Sequence, residues 1–453
     1  MLLIYYKING GFAKYLLQDI MENLETKIKN KKAKVAVIGL GYVGLPTAVE
    51  IAKAGFFVYG IDRNKERVKQ LNLGCSYIAD VPAGELKEVI SPKKFIATDN
   101  YKALKKSDIV LICVPTPLDK NKIPDISYIK STVGEIKKRL HPGQLIILES
   151  STYPGTTEEV ILSALQESDF RVGRNFHLAY SPERIDPGNK NYKLKDVARV
   201  VGGATSSCTR LAVQFYKKFI KSEVLPLSSP RAAEMTKLLE NTFRLVNISM
   251  INEMALLCGK IGIDIWEVIE AAKTKPYGFY PFYPSAKIGG HCIPLDPFYL
   301  SWKAKEHNFF CRFIELAGEI NEQMPHYIVT KIIWALNLHK KSIRGSKILI
   351  LGVAYKEGIG DTRESAAFDI IKELLRKGAK VRYHDSYVPE LEIDKKKLRT
   401  VKLTQKIIKE SDCIVILTAH PVCDYDELAK KAKLVIDTKN AVKSRNFKNV
   451  FRL

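Results

Sequence analysis

A strand-like run, Lys34-Val-Ala-Val-Ile38, leads directly into Gly39-Leu40-Gly41-Tyr42-Val43-Gly44 and then into a helical apolar pattern that continues to about Lys53. No other feature restricts the fold as much. A G-x-G-x-x-G set between a strand and a helix uses Gly39 for a tight turn, Gly41 for close approach of backbone to a pyrophosphate, and Gly44 for packing of helix on strand. The anion is then expected at the helix N-terminus, with Tyr42 and Val43 completing the cofactor turn. A second apolar run, Phe56 to Ile61, ends in Asp62, 18 residues past Gly44, where an acid is expected to hydrogen-bond the adenosine ribose. That acid favours NAD over NADP, and the adjacent Arg63 weakens the preference because an arginine there can take a 2′-phosphate.

Strand-like and helical patterns alternate through about residue 220, with apolar runs at Ile109–Cys113 and Leu145–Leu148. Such alternation predicts a parallel sheet with helices on both faces. From about Arg231 to Ala272 the pattern is helical, spaced through Met235, Leu238, Leu239, Phe243 and Val246, and a single long central helix is expected that could also supply a subunit interface. A second alternating unit starts at Lys347–Gly352 and runs through a helix at Ala366–Lys377 to strands at Lys380–Asp385, Asp412–Leu417 and Lys433–Asp437. Its first turn, Gly352-Val-Ala-Tyr-Lys356, lacks the glycine fingerprint, so a phosphate-bearing ligand other than a second NAD is expected near Lys356 and Arg363, past a strand's C-terminal end. The fold class is therefore α/β: two doubly wound, Rossmann-like domains joined by a central helical segment. Expected boundaries are an N-terminal extension over 1–32, a dinucleotide-binding domain over 33–220, a central helical domain over 221–325 and a second Rossmann-like domain over 326–453.

The chain has 453 residues, 46% of them hydrophobic and 27% charged, enough for roughly two or three cores. No apolar run approaches the ~20 residues of a membrane helix, and Met1–Lys7 does not read as a secretory signal. Eight cysteines without a C-x-x-C pair point to reduced thiols in a cytoplasmic protein, with no disulfide frame and no metal site expected. The formal charge of +23 reads as a lysine-rich solvated surface, since the basic runs at Lys27–Lys34 and Lys395–Lys397 lack interleaved aromatics. Neither nucleic acid nor membrane is expected as a partner.

Cys292 lies in Gly289-Gly-His-Cys-Ile-Pro-Leu-Asp296, about 250 residues beyond the fingerprint. A thiol in a nicotinamide-binding chain suggests covalent oxidation chemistry. The glycines before it are expected to leave backbone N–H groups accessible to the thiolate. His291 beside it invites a metal or Cys-His dyad reading, but adjacent side chains in extended backbone point to opposite faces, and a role in shaping the pocket is preferred. Lys237 and Asn241 are one helical turn apart and project from one face. Taken alone, that spacing describes a solvent-facing lysine and an asparagine beside core leucines.

Taken in order, the chain resembles the UDP-glucose/GDP-mannose dehydrogenases, four-electron nucleotide-sugar dehydrogenases. The resemblance covers about residues 33–445 and rests on seven motifs: Gly39–Gly44, Val114-Pro-Thr-Pro117, Glu149–Gly155, Ser181-Pro-Glu-Arg184, Glu234–Asn241, Gly289-Gly-His-Cys292 and Gly352–Lys356. It implies NAD as cofactor, with Pro115, Thr116 and Thr152 near it, and a UDP-sugar held by Glu183, Arg184, Lys237, Asn241, Gly289, Lys356 and Arg363. It also implies Cys292 as nucleophile, Lys237 and Asn241 converging on the developing oxyanion, Asp296 orienting or activating water, and Thr152 and Glu183 around that water and C6. A thioester intermediate, a place in polysaccharide biosynthesis and a homodimer or larger assembly belong to the same expectation.

The segments Lys273–Phe279 and His291–Lys305 look most like the branch oxidising UDP-N-acetylglucosamine, with UDP-N-acetylmannosamine the close rival and UDP-glucose a further alternative. Where that family has a glycine- and proline-rich loop, this chain has Tyr283-Pro-Ser-Ala-Lys287, and bulkier residues there are expected to narrow or recharge the hexose pocket. Two readings of other classes remain at this stage. A two-electron hydroxyacid dehydrogenase would need neither Cys292 nor a second α/β domain, and a non-catalytic NAD-binding regulator would leave Cys292, Lys237 and Asp296 without purpose.

Overall fold

The computed structural model describes residues 24–453 except 79, 120, 167–169, 186–188 and 190. Residues 1–23, most of the expected N-terminal extension, lie outside the described residues. The chain forms two compact units, Met1–Leu238 and Leu239–Leu453. Among the described residues no helix is long and apolar enough to cross a membrane.

The first unit is built on eight strands: β1 (Lys34–Ile38), β2 (Phe57–Ile61), β3 (Phe95–Thr98), β4 (Ile109–Ile112), β5 (Gln144–Leu148), β6 (Phe176–Tyr180), β7 (Arg199–Gly203) and β8 (Val224–Leu227). They lie in the order β3-β2-β1-β4-β5-β6-β7-β8. The first six are parallel, as expected, and the central β1, β4 and β5 read as near-continuous apolar runs because both their faces are covered. Between β6 and β7 the pairing turns antiparallel. A parallel neighbour needs a crossover, usually a helix, and among the described residues the β6–β7 connection holds only the short 3₁₀ turn Leu194–Asp196. Residues 24–29 are helical and place Leu24 and Ile28 in this unit's core, so part of the expected extension is structural.

In the second unit the strands are β9 (Lys347–Leu351), β10 (Lys380–His384), β11 (Glu390–Ile393), β12 (Lys396–Arg399), β13 (Cys413–Ile416), β14 (Val435–Asp437) and β15 (Val450–Arg452). Five form a parallel sheet ordered β10-β9-β13-β14-β15, with the strand order reversing between β9 and β13, the point at which such sheets usually bind their ligands. The sequence pattern missed the β11–β12 hairpin, which is closed by Asp394 and Lys395, both left-handed (φ 47° and 66°), the conformation of a two-residue hairpin turn. The expected single helix over 231–272 is two helices, Pro230–Ile261 and Ile265–Ala272. Gly262 (φ 77°) ends the first, with the Ile263 N–H on the Cys258 carbonyl in a Schellman pattern. Asp264 then caps the second through the Trp266 N–H.

The two sheets repeat one turn. A Cβ on Gly39 (φ +90°) would lie 2.4 Å from the Cys113 carbonyl oxygen, and one on Gly352 (φ +77°) 2.3 Å from that of Thr418. In both, the acid after the second strand accepts from the amide following the glycine: Asp62 from Leu40 at 3.0 Å and Asp385 from Val353 at 2.7 Å. The first-glycine geometry therefore survives at Gly352, although Ala354 and Glu357 stand where the second and third glycines would be. Gly345 offers a control: its φ is also positive, at +82°, but a Cβ there meets nothing within 4 Å. Gly345→Ala is expected to cost about 1–2 kcal/mol of stability for the left-handed backbone alone, and Gly352→Ala about 3 kcal/mol or more for the added clash. Equal losses in urea unfolding would show that space at the turn is not limiting.

Candidate active site

The turns after β1, β4, β5 and β6 gather most expected site residues of the first unit at the C-terminal edge of its parallel strands. A Cβ on Gly44 would sit 1.8 Å from the Gly39 carbonyl, whereas Gly41 faces open space, the clearance a close ligand requires. Val43 precedes the helix Gly44–Lys53, whose start no side chain caps. Asp62 accepts from the Leu40 and Asn64 amides, which ties it to the glycine turn, and Arg63 donates to Ser131 Oγ. Beside them a cavity of about 360 Å³ is lined by Gly41, Tyr42, Asn64, Arg67 and Tyr77 among others. Sequence reasoning missed Asn64, Arg67 and Tyr77. Asn64 was findable as the N-cap of the helix that begins beside it, its side chain accepting from the Glu66 and Arg67 amides.

Pro115 is exposed, while Thr116 is buried and donates to the Ser151 carbonyl, joining the turns after β4 and β5. Thr152 is fully buried, its hydroxyl 2.7 Å from that of Thr156. Glu183 is not a free base. Its carboxylate accepts from Arg199 Nη1 at 2.7 Å and from the Arg184 and Ile185 amides, while its carbonyl takes the Lys237 ammonium at 2.7 Å. Arg184 donates to the Ala198 carbonyl. Arg199 also grips Glu149, which Tyr216 and Cys113 bond, so one buried guanidinium serves two carboxylates. Burial raises both acids. At Glu149 it wins, and that carboxyl stays above the ordinary range; at Glu183, Arg199 and the backbone amides more than offset it, and the carboxyl falls below.

In the second unit Cys292 is partly buried, and its carbonyl accepts the Asp296 N–H at 2.8 Å, starting the helix Asp296–Ala304. Asp296 is buried and its carboxylate accepts from the Asn241 amide at 2.6 Å. Lys237 and Asn241 thus do not converge on one oxygen here. Buried donors must find acceptors, and each has one: the Glu183 carbonyl for the first, the Asp296 carboxylate for the second. Gly289 and Gly290 are glycines for want of room, since a Cβ would fall 2.7 Å from Tyr355 Cβ or 2.9 Å from its ring. The Gly290 N–H, expected to be accessible, donates to the Arg363 carbonyl at 3.0 Å. Arg363 clasps Asp361 and Lys356 is half-buried, both in the loop after β9. Burial lowers the His291 pKa, and the Arg363 charge lowers it further, which favours a neutral imidazole.

Glu234, the first residue of the Glu234–Asn241 motif, was assigned no role, yet it accepts from the Gly155 amide and from both the amide and hydroxyl of Thr157. It therefore holds the turn that carries Thr152. Burial pushes its carboxyl up to about 7, and these donors offset that only in part. A folded-state pKa above the ordinary 4.5 means the fold prefers the protonated acid, so its stabilising contribution is complete below about pH 4.5 and is lost as pH rises through about 7. Glu234→Gln keeps an acceptor without the charge. It is expected to melt above wild type at about pH 8 and to lose that advantage toward about pH 5; a gain that grows on acidification would overturn the assignment.

Comparison with known proteins bears on the whole chain. Residues 33–220 match the NAD binding domain of the UDP-glucose/GDP-mannose dehydrogenase family, residues 231–323 its central domain and residues 349–444 its UDP binding domain. UDP-N-acetyl-D-mannosamine dehydrogenase of Pyrococcus horikoshii is 37% identical over 428 residues, covering 92% of this chain and 98% of the relative. UDP-N-acetyl-D-glucosamine 6-dehydrogenase of Pseudomonas aeruginosa is 37% identical over 359 residues, 79% of this chain and 84% of the relative. A solved structure of the UDP-D-ManNAc dehydrogenase from Pyrococcus horikoshii superposes with a TM-score of 0.84 at 34% identity, covering 92% of this chain and 98% of that one. Matched in all three segments and across most of its length, the chain belongs to the UDP-glucose/GDP-mannose dehydrogenase family and is an NAD-dependent nucleotide-sugar dehydrogenase.

Proposed function

We propose that the protein oxidises the C6 hydroxymethyl of a UDP-N-acetylhexosamine to the carboxylate in two steps, through a covalent bond to Cys292. One observation carries this reading. The residue whose carbonyl accepts the first N–H of the Asp296 helix is a cysteine, and the Asp296 carboxylate and Asn241 amide are bonded one turn further on. NAD supplies the hydride acceptor, one molecule for each oxidation. Once the first hydride has left C6, the Cys292 thiolate adds to the aldehyde carbon, and the new oxyanion takes a proton to give a thiohemiacetal. Loss of the second hydride and the hydroxyl proton leaves a thioester. Water then adds at that carbon, the C–S bond breaks, and the carboxylate and thiolate are released. Overall, one alcohol, one water and two NAD yield one carboxylate, two NADH and three protons.

In this reading Lys237 stabilises the C6 oxyanion or assists its proton transfer, and Asn241 holds Asp296 as the group that orients water. Thr152 and Glu183 complete the polar surroundings. Gly39, Gly41, Tyr42, Val43, Gly44, Asp62, Arg63, Pro115 and Thr116 bind the cofactor, and Arg184, Gly289, Lys356 and Arg363 the nucleotide sugar. The gluco epimer is supported by Lys273–Phe279 and His291–Lys305; the manno epimer is supported by the relative that covers more of the chain. The reduced cysteines and activated-sugar substrate support a cytoplasmic setting.

A homodimer is the assembly we propose. Phe243, Asn247, Met250, Met254, Leu257 and Ile261 follow alternating four- and three-residue steps along one helix, the seam of a coiled coil. Its apolar members are 36–58% exposed, and a surface stripe of that kind marks an interface. A second copy offers the same seam, as a two-fold contact requires.

Wild type is expected to form two NADH per sugar consumed, and Cys292→Ser to lose about a thousandfold in kcat or more. Turnover unchanged in that variant would sink the covalent route. Initial rates with UDP-N-acetylglucosamine, UDP-N-acetylmannosamine and UDP-glucose decide the epimer; a preference for UDP-glucose would reject the acetamido reading. For the assembly, Met250→Glu with Leu257→Glu should convert a dimer to a monomer in sedimentation velocity, and an unchanged mass would place the interface elsewhere.

A further inference from the structure

Lys287, in the departure Ser285-Ala286-Lys287, is held by two carboxylates. The Lys287 ammonium donates to Glu322 at 3.1 Å and Asp369 at 2.9 Å, and its side chain is only 6% exposed. Glu322 belongs to the helix Arg312–Leu338 and Asp369 to the helix Ala366–Arg376. Its charge is therefore spent on two helices behind the loop. Around it the backbone is held by side chains and carbonyls from separate elements. The Ser285 amide donates to Asn252, the Ile288 amide to Asn321 at 2.6 Å, and the Gly290 amide to the Arg363 carbonyl.

Resting on the reading of Cys292 as nucleophile, we propose that Lys287 is a positioning residue for that thiol: by bridging Glu322 and Asp369 it fixes the segment Ser285–His291 before any sugar arrives. Ordering a residue's backbone costs about 1–2 kcal/mol, and glycines such as Gly289 and Gly290 cost the most. A tether just before them limits how much of that entropy binding must supply. Each ion pair has a half-exposed acid and is weak by itself. The lysine side chain is nearly covered, and loses most when both partners go. A nucleophile needs its reacting atom held near attack geometry, so a loosened loop lowers the rate of chemistry more than cofactor affinity.

Hydrogen exchange on the full-length protein reads this directly. In Lys287→Met the amides of Ser285–His291 should exchange about tenfold faster than in wild type, with β9 unchanged, because local opening alone has become easier. With a UDP-sugar, kcat should fall while KM for NAD holds, and Lys287→Arg should restore both slow exchange and rate. Exchange equal to wild type, or acceleration spread equally over β9, overturns the proposal. If Lys287→Met does not fold, Glu322→Gln with Asp369→Asn removes the same tether from the exposed side and is held to the same outcomes. Failure of the nucleophile reading shows separately, as turnover that survives Cys292→Ser.

Discussion

Where the first turn of each sheet crosses the strand beside it, there is no room for a side chain. Gly39 lies against the Cys113 carbonyl and Gly352 against that of Thr418, both at distances no Cβ tolerates. That close crossing turns the next amide toward the acid at the end of the second strand, Asp62 in one sheet and Asp385 in the other. Beyond this shared crossing the two turns diverge. After Gly39 two more glycines let a helix start at once, which suits a pyrophosphate. After Gly352 the chain runs on through Lys356 and Arg363, and the loop so formed is the wall that Gly289 and Gly290 pack against. One steric constraint, repeated, thus yields the glycine turn of the NAD binding domain in the first unit and the support of the cysteine loop in the second.

Charge is arranged with similar economy around Arg199. A guanidinium taken out of water needs full hydrogen bonding, and Arg199 finds it on Glu149, Glu183 and the Ser181 hydroxyl. Two carboxylates on one cation cannot be equally relieved, and their pKa values move apart. The practical result is that both ends of Glu183 are held: its carboxylate by Arg199 and two backbone amides, and its carbonyl by the Lys237 ammonium. Glu234 likewise holds the turn after β5. Arg199 and Glu234, which contact neither cofactor nor sugar in the proposed scheme, thereby help set where Lys237 and Thr152 stand.

Much of this was legible from local pattern. β1, β2, β4, β5, β9, β13 and β14 fall on apolar runs, since strands buried on both faces carry little else, whereas the edge strand β10 mixes polar and apolar residues. The helices Gly44–Lys53 and Ala366–Arg376 end within a residue of expectation. Glu149 and Glu234 stood inside motifs that were recognised, but their roles were not readable because their partners are far away in sequence. Arg199 carried no local signal at all. The break at Gly262 was signalled by the glycine and by Asp264 two residues on, and it went unread because apolar spacing continues across it.

The amino-acid sequence by itself determined the class of sheet, the glycine turn after β1 and the presence of a cysteine with an acid four residues later, because these depend on periodicity, on glycine's missing Cβ and on short spacing. Tertiary structure alone decided the antiparallel entry of β7 and the partners of Glu183, Asn241 and Gly290. It also set the Lys287 ammonium against two carboxylates, Glu322 and Asp369. Those outcomes depend on which buried donor lies nearest which acceptor, a distance set by packing between elements that are remote along the chain.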